Sequence, residues 1–130
     1  MAIEEVATSG APEALGAYSQ GVKANGFVFV SGQLGIDPET GELAGAGAGI
    51  QTQRAMQNIE NILQAAGTSM KNVVRATIYM KDANDFAEVN AEYAKFFDGD
   101  VQPARVAFGS NVIPKPGAVV EIDAIAVANE

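Results

Sequence analysis

The stretch "AVVEIDAIAV", residues 118–127, decides what this chain can fold into. Its β-branched residues make it a strand by composition. Successive side chains of a strand point to opposite faces. Val120, Ile122, Ala124 and Ala126 therefore fill one face. Val119, Ile125 and Val127 share the other with Glu121 and Asp123. A strand that is apolar on both faces is normally covered on both, so the rest of the chain has to supply two covers.

Working outward, the pattern supplies only two helices. In the segment from about Gly49 to Ala66, residues Ala55, Met56, Ile59, Ile62, Leu63 and Ala66 form one apolar stripe. Gln53, Arg54, Gln57 and Asn61 face away, and Gly67 stops the helix. A second helix spans about 83–97, with Asp82 as N-cap and Gly99 closing it. Its stripe is Phe86, Val89, Tyr93 and Phe96 or Phe97.

The remaining periodic segments read as strands. "GFVFVSG" (26–32) is one, and the segment from about Ala17 to Lys23 can pair with it through Asn25-Gly26. "DPETGE" (37–42) is a turn. In "NVVRATIYMK" (72–81), Val74, Ala76, Ile78 and Met80 share one face, and Arg75, Thr77 and Tyr79 the other. Strands at about 105–110 and 117–127 end the chain, with "KPG" (115–117) turning between them. A short strand at Ile3–Val6 can precede the rest. The order is β-β-α-β-α-β-β. Two helices cover one face of such a sheet, so a second copy of the chain is expected on the other, making a homo-oligomer.

Composition narrows the chemistry. A chain of 130 residues suits one domain, 1–130. The net charge of −8 is a poor match for nucleic acid or an anionic membrane. There is no cysteine and no histidine, which removes thiol nucleophiles, disulfides, zinc–thiolate sites and any Ser-His-Asp device. "MAIEEVATSG" lacks the pattern of a signal peptide and no run is long enough to span a bilayer, so a cytoplasmic location is expected. "GELAGAGAGI" (41–50) reads as a flexible loop, not a phosphate cradle.

The candidate chemistry centres on "QPARVAFG" (102–109), which places one of only three arginines inside an apolar run. Arg105 and Ala107 share a face. If this strand pairs antiparallel with the last one, Arg105 comes near Glu121. The pair is then either a structural ion pair or an anion site with a carboxylate beside it. Ser31-Gly32-Gln33 reads as a strand terminus, Tyr18 as a packed amphipathic ring, and Asn90 as a helix-to-loop hydrogen bond.

Taken together, "LGAYSQGV" (15–22), "FVFVSGQLGIDPETGEL" (27–43), "NIENILQAAG" (58–67), "VVRATIYMKDANDFAEVNAEYAKFF" (73–97), "PARVAF" (103–108) and "IPKPGAVVEIDAIAV" (113–127) resemble the reactive intermediate deaminases. These are the RidA/YjgF proteins, also labelled L-PSP endoribonucleases. The resemblance runs through nearly the whole chain in order. It implies an α+β fold similar to the chorismate mutase-like (bacillar) type, with two helices on one face of the sheet. It also implies a homotrimer around a central barrel, with ligand clefts between subunits.

The activity it implies is hydrolysis of 2-imino acids such as 2-iminopropanoate and 2-iminobutanoate to 2-oxo acids and ammonia. A C=N bond is already electrophilic, so the reaction calls for no metal or cofactor. By the resemblance, Arg105 holds the substrate carboxylate and Glu121 activates water. Tyr18, Ser31, Gly32 and the Ala107 N–H line the cleft, with Asn90 near it. Ala17 stands where many relatives have proline, Ala107 where some have cysteine, and "GSNVIP" (109–114) matches least. Two other functions stay open: an endoribonuclease or translation inhibitor, and a non-catalytic module binding small carboxylates.

Overall fold

The computed structural model describes residues 2–128. Six strands form one mixed sheet: β1 (Glu4–Val6), β2 (Gly21–Ala24), β3 (Phe27–Leu34), β4 (Val73–Met80), β5 (Ala104–Gly109) and β6 (Val120–Val127). Two helices, α1 (Ala48–Ala65) and α2 (Phe86–Ala94), complete the α+β fold. The sheet order is β1-β2-β3-β6-β4-β5. The two-sided strand β6 lies inside the sheet, antiparallel to both β3 and β4.

The expected hairpin is present. β2 and β3 pair antiparallel, and Asn25 and Gly26 turn between them at φ +53° and +84°. A two-residue turn with both φ positive matches the twist of the flanking strands, and asparagine and glycine tolerate it best. Helix α1 buries its whole expected stripe, from Ala55 to Ala66. It stops as expected at Gly67, where Gly67 N–H reaches the Gln64 carbonyl and Thr68 N–H the Leu63 carbonyl. Asp82 caps a 3₁₀ turn at Ala83–Asp85, accepting from the Asn84 N–H, and α2 proper begins only after it.

Both helices lie on one face. Val28, Val30, Ala76, Ile78, Met80, Val120, Ile122, Ala124 and Ala126 pack beneath them with Met56, Ile59, Ile62, Leu63 and Val89. Glu88 of α2 accepts a 2.7 Å bond from the Gly49 N–H in the first turn of α1, tying the helices together. Three polar side chains of α1 that the stripe did not mark are fully buried: Gln51, Thr52 and Asn58. Gln51 gives bonds to the Gly45 and Gly117 carbonyls and accepts from the Val119 N–H, so it fixes the chain entering β6.

The other face of the sheet has no helix. Phe29 and Phe108 are 43% and 45% exposed there, beside Phe27, Val106 and Val127. Tyr79 and Phe108 meet edge to face at 5.2 Å.

Three expectations are corrected. β5 does not pair with β6: it pairs parallel with β4, at the sheet edge. The cause is α2, a crossover that returns the chain to run in the same direction as β4. Val74 does not share the core face with Ala76. The β4–β6 register slips between Val73 and Arg75, so Val73 is buried and Val74 is exposed. Ser31-Gly32 is not a strand terminus either, because β3 continues to Leu34.

Candidate active site in two halves

The first half is built on β6 and a bulge in β3. Val30 lies opposite Ala124, and Gln33 opposite Ile122. Ser31 and Gly32 therefore share the space across from Asp123 alone. Such a bulge bends the strand and redirects its side chains. Glu121 reaches over the bulge: a Cβ added to Gly32 would lie 2.8 Å from Glu121 Oε2. Glycine is needed at this position for close approach, not for its backbone angle. The Ser31 hydroxyl donates to the Ser19 carbonyl at 2.5 Å, and the Ser31 N–H to the Gln20 carbonyl at 2.9 Å. These bonds pin the loop that carries Tyr18. The result is a groove of 460 Å³ lined by Pro12, Tyr18, Ser31, Gly32, Pro114 and Glu121, among others.

Glu121 has no cation beside it. Among the described residues the one ion pair is Lys95–Glu92, at 3.0 Å. Burial pushes the Glu121 carboxyl above its ordinary pKa, and the negative charge of Asp123 adds to the effect. Asp123 accepts a hydrogen bond from the Tyr79 hydroxyl at 3.0 Å.

The second half is built on β5 and α2. Arg105 Nη1 donates to Asn90 Oδ1 at 2.6 Å. The guanidinium carbon lies 5.1 Å from the Tyr93 ring centre and 5.4 Å from that of Phe86. A cavity of 340 Å³ opens beside it, lined by Asn90, Tyr93, Ala94, Gln102, Pro103 and Arg105. Ala107 points to the same side of β5. The Ser110 N–H bonds to the Met80 carbonyl in β4. Backbone N–H groups alternate along a ladder, so that of Ala107 points to the free edge of β5.

Within one chain the halves do not meet. Arg105 is in register with Ala76, Ala76 with Ala124, and Glu121 with Tyr79, so β4 separates them. Arg105 also lies against α2 on the helix side, whereas Glu121 lies on the open side. The expected closeness of Arg105 and Glu121 depended on an antiparallel β5–β6 pair, and it falls with that pair. Within one chain they form no ion pair. The structure thus gathers Tyr18, Ser31, Gly32 and Glu121 in one place, and Asn90, Arg105 and Ala107 in another. Asn90 bonds Arg105 and not a loop.

Phe86 and Tyr93 belong to the apolar stripe of α2, yet both also face Arg105. The signal was in the spacing, since 86, 90 and 93 fall at i, i+4 and i+7 on one helix face. Pro12 and Pro114 entered the groove with no such signal.

Comparison with known proteins agrees with this architecture. The endoribonuclease L-PSP family model matches residues 8–128. A RutC family protein of Pyrococcus abyssi is 46% identical over 97% of this chain and 98% of its own length. The 2-iminobutanoate/2-iminopropanoate deaminase of Rattus norvegicus is 44% identical over 94% of this chain and 88% of its own. The crystal structure of E. coli TdcF with bound serine superposes with a TM-score of 0.90 at 35% identity, covering 97% of this chain and 99% of that one. The chain belongs to the RidA/YjgF family, the family also labelled L-PSP endoribonuclease.

Proposed function

We propose that this protein hydrolyses small 2-imino acids, such as 2-iminopropanoate and 2-iminobutanoate, to 2-oxo acids and ammonia. Each active site joins the Arg105 half of one copy to the Glu121 half of the next. A trimer with a chorismate mutase-like central barrel provides such junctions, and its barrel wall covers the apolar face carrying Phe29 and Phe108. The cytoplasmic location expected from the sequence belongs to the same proposal.

One observation carries this reading. Neither Arg105 nor Glu121 has an oppositely charged partner among the described residues. A guanidinium with unused N–H donors and a partly buried carboxylate are what a carboxylate-bearing electrophile and a water molecule require. Arg105 grips the substrate carboxylate, helped by the outward N–H of Ala107. This holds the imine carbon for attack. Glu121 takes a proton from water as the water oxygen bonds to that carbon. That proton then passes to nitrogen to give a carbinolamine, Glu121 next carries the hydroxyl proton to the same nitrogen, the C–N bond breaks, and ammonia leaves as the carbon becomes a ketone. The raised proton affinity of Glu121 suits both steps. The name of the rat relative and the serine in TdcF support a small substrate with a carboxylate.

The test couples a pyridoxal-phosphate dehydratase acting on serine or threonine to this protein and follows release of the 2-oxo acid. Wild type accelerates release above the spontaneous rate, and Arg105→Ala loses both acceleration and carboxylate binding. Binding without acceleration would instead make the protein a small-carboxylate module. A linear fall of RNA binding with log salt, accompanied by cleavage, would favour the ribonuclease.

Gly32 supplies a more local test. In Gly32→Ala the new methyl meets the flexible end of Glu121, so the carboxylate moves and the backbone stays. Thermal stability is expected to change by less than about 1 kcal/mol. Turnover should drop on the order of 10²-fold from displacement of the base. A large loss of melting temperature with unchanged turnover per folded molecule would contradict the packing of Glu121 over Gly32.

A further inference from the structure

We infer that Phe86, Asn90 and Tyr93 form a clamp on one face of α2 that holds the Arg105 guanidinium ready for its ligand, Phe86 and Tyr93 serving as positioning residues. The kinetic consequence rests on the deaminase reading. The clamp itself does not.

Positions i and i+7 of a helix lie two turns, roughly 10 Å, apart along the axis. The guanidinium carbon is 5.4 Å from the Phe86 ring and 5.1 Å from the Tyr93 ring, so the planar group is held by aromatic contacts on two sides. Asn90, midway between them, takes a single donor, Nη1. Nε and Nη2 have no hydrogen-bond partner among the described residues and remain available as a fork for a carboxylate. An exposed arginine at a sheet edge is otherwise free to rotate about its long side chain, and a carboxylate would have to order it on binding.

Tyr93 acts through its ring. The residue is 4% exposed, and its hydroxyl is buried without a hydrogen-bond partner among the described residues. No bond from the hydroxyl therefore holds it in place. Its ring lies 4.8 Å from that of Phe97, so it joins the core to the guanidinium. Phe86 is 37% exposed and does little for the core. Its position beside Arg105 is better explained by the clamp.

The experiment reads the Arg105 side chain directly by NMR, through its Nε–H resonance in the unliganded full chain. In wild type this proton is shifted by the two rings and the side chain is ordered. Phe86→Leu and Tyr93→Leu move the resonance toward the position of free arginine and raise its ps–ns mobility. Tyr93→Phe restores what Tyr93→Leu loses. In the imine assay, Phe86→Leu and Tyr93→Leu raise KM roughly 3- to 30-fold, the range of cation–π contacts, with kcat little changed. Phe86→Leu keeps the test decisive if Tyr93→Leu fails to fold. A wild-type resonance at the free-arginine position, or one unmoved by Phe86→Leu, overturns the clamp. A shifted resonance with unchanged KM overturns its positioning role. A responsive resonance in a protein that accelerates no imine hydrolysis overturns the deaminase reading and leaves the clamp standing.

Discussion

Glu121→Gln is expected to lower kcat for 2-imino acid hydrolysis by about 10²–10⁴-fold, the usual contribution of a positioned acid–base group. Affinity for a small carboxylate such as pyruvate should change little, because Arg105 belongs to the other half of the site. Glutamine has the same shape and can still accept a hydrogen bond over Gly32, so the fold is retained. It cannot take a proton. The pH profile supplies a second reading. Rate falls as pH drops through the pKa of a required base. Burial and Asp123 raise that of Glu121, so the acid limb of kcat/KM should lie above the ordinary carboxylate range. The limb should vanish in Glu121→Gln. Steady-state kinetics and calorimetric pyruvate binding measure both effects. Turnover within a few-fold of wild type would remove Glu121 from the chemistry.

The second large effect is a gain. Arg105→Ala and Glu121→Gln should each be nearly inactive alone, yet mixed assemblies of the two should recover about a quarter of the wild-type sites. The reason is geometric. β4 lies between the two residues, and they project from opposite faces of the sheet. A site that needs both must draw them from different copies. In a closed ring with random mixing, about one junction in four pairs an intact Arg105 with an intact Glu121. The measurement is specific activity after denaturing, mixing and refolding the two variants, against each refolded alone. Recovery near zero would mean that a single copy completes the site by a rearrangement of β5.

The features legible in the sequence were those set by local periodicity. The α1 stripe, the Asn25-Gly26 turn, the stop at Gly67 and the two-sided character of β6 all follow from residues within a few positions of one another. The partner of β5 did not, because strand pairing is a tertiary choice. A short loop into β6 suggested a hairpin, while the α2 crossover imposed a parallel neighbour. The two bulges were invisible for a related reason: "VSGQ" and "NVVR" carry no mark of an extra residue until a partner strand fixes the count. Arg105 and Glu121 stand out by pattern, an arginine in an apolar run and an acid in the two-sided strand, whereas Tyr18, Ser31 and Gly32 become site candidates only through the resemblance. Their division into two half-sites required the sheet order. Gln51 and Asn58 show the converse case, since polar residues on a helix read as solvent-facing until loops close over them.

The bulge at Ser31-Gly32 has a bearing on what changes this protein can tolerate. Val30 and Gln33 both face the core although they are three positions apart, so β3 changes phase in the middle of its length. Removing one residue there would restore an even alternation. Val30 and Gln33 would then lie two positions apart with both still facing the core, so the strand would keep its register with β6 and lose only the bulge that sets Gly32 under Glu121. Substitution tests only the space above a residue, but deletion tests the bulge itself. The extra residue accordingly serves the site and not the core, and its loss would reach the chemistry before it disturbed the fold.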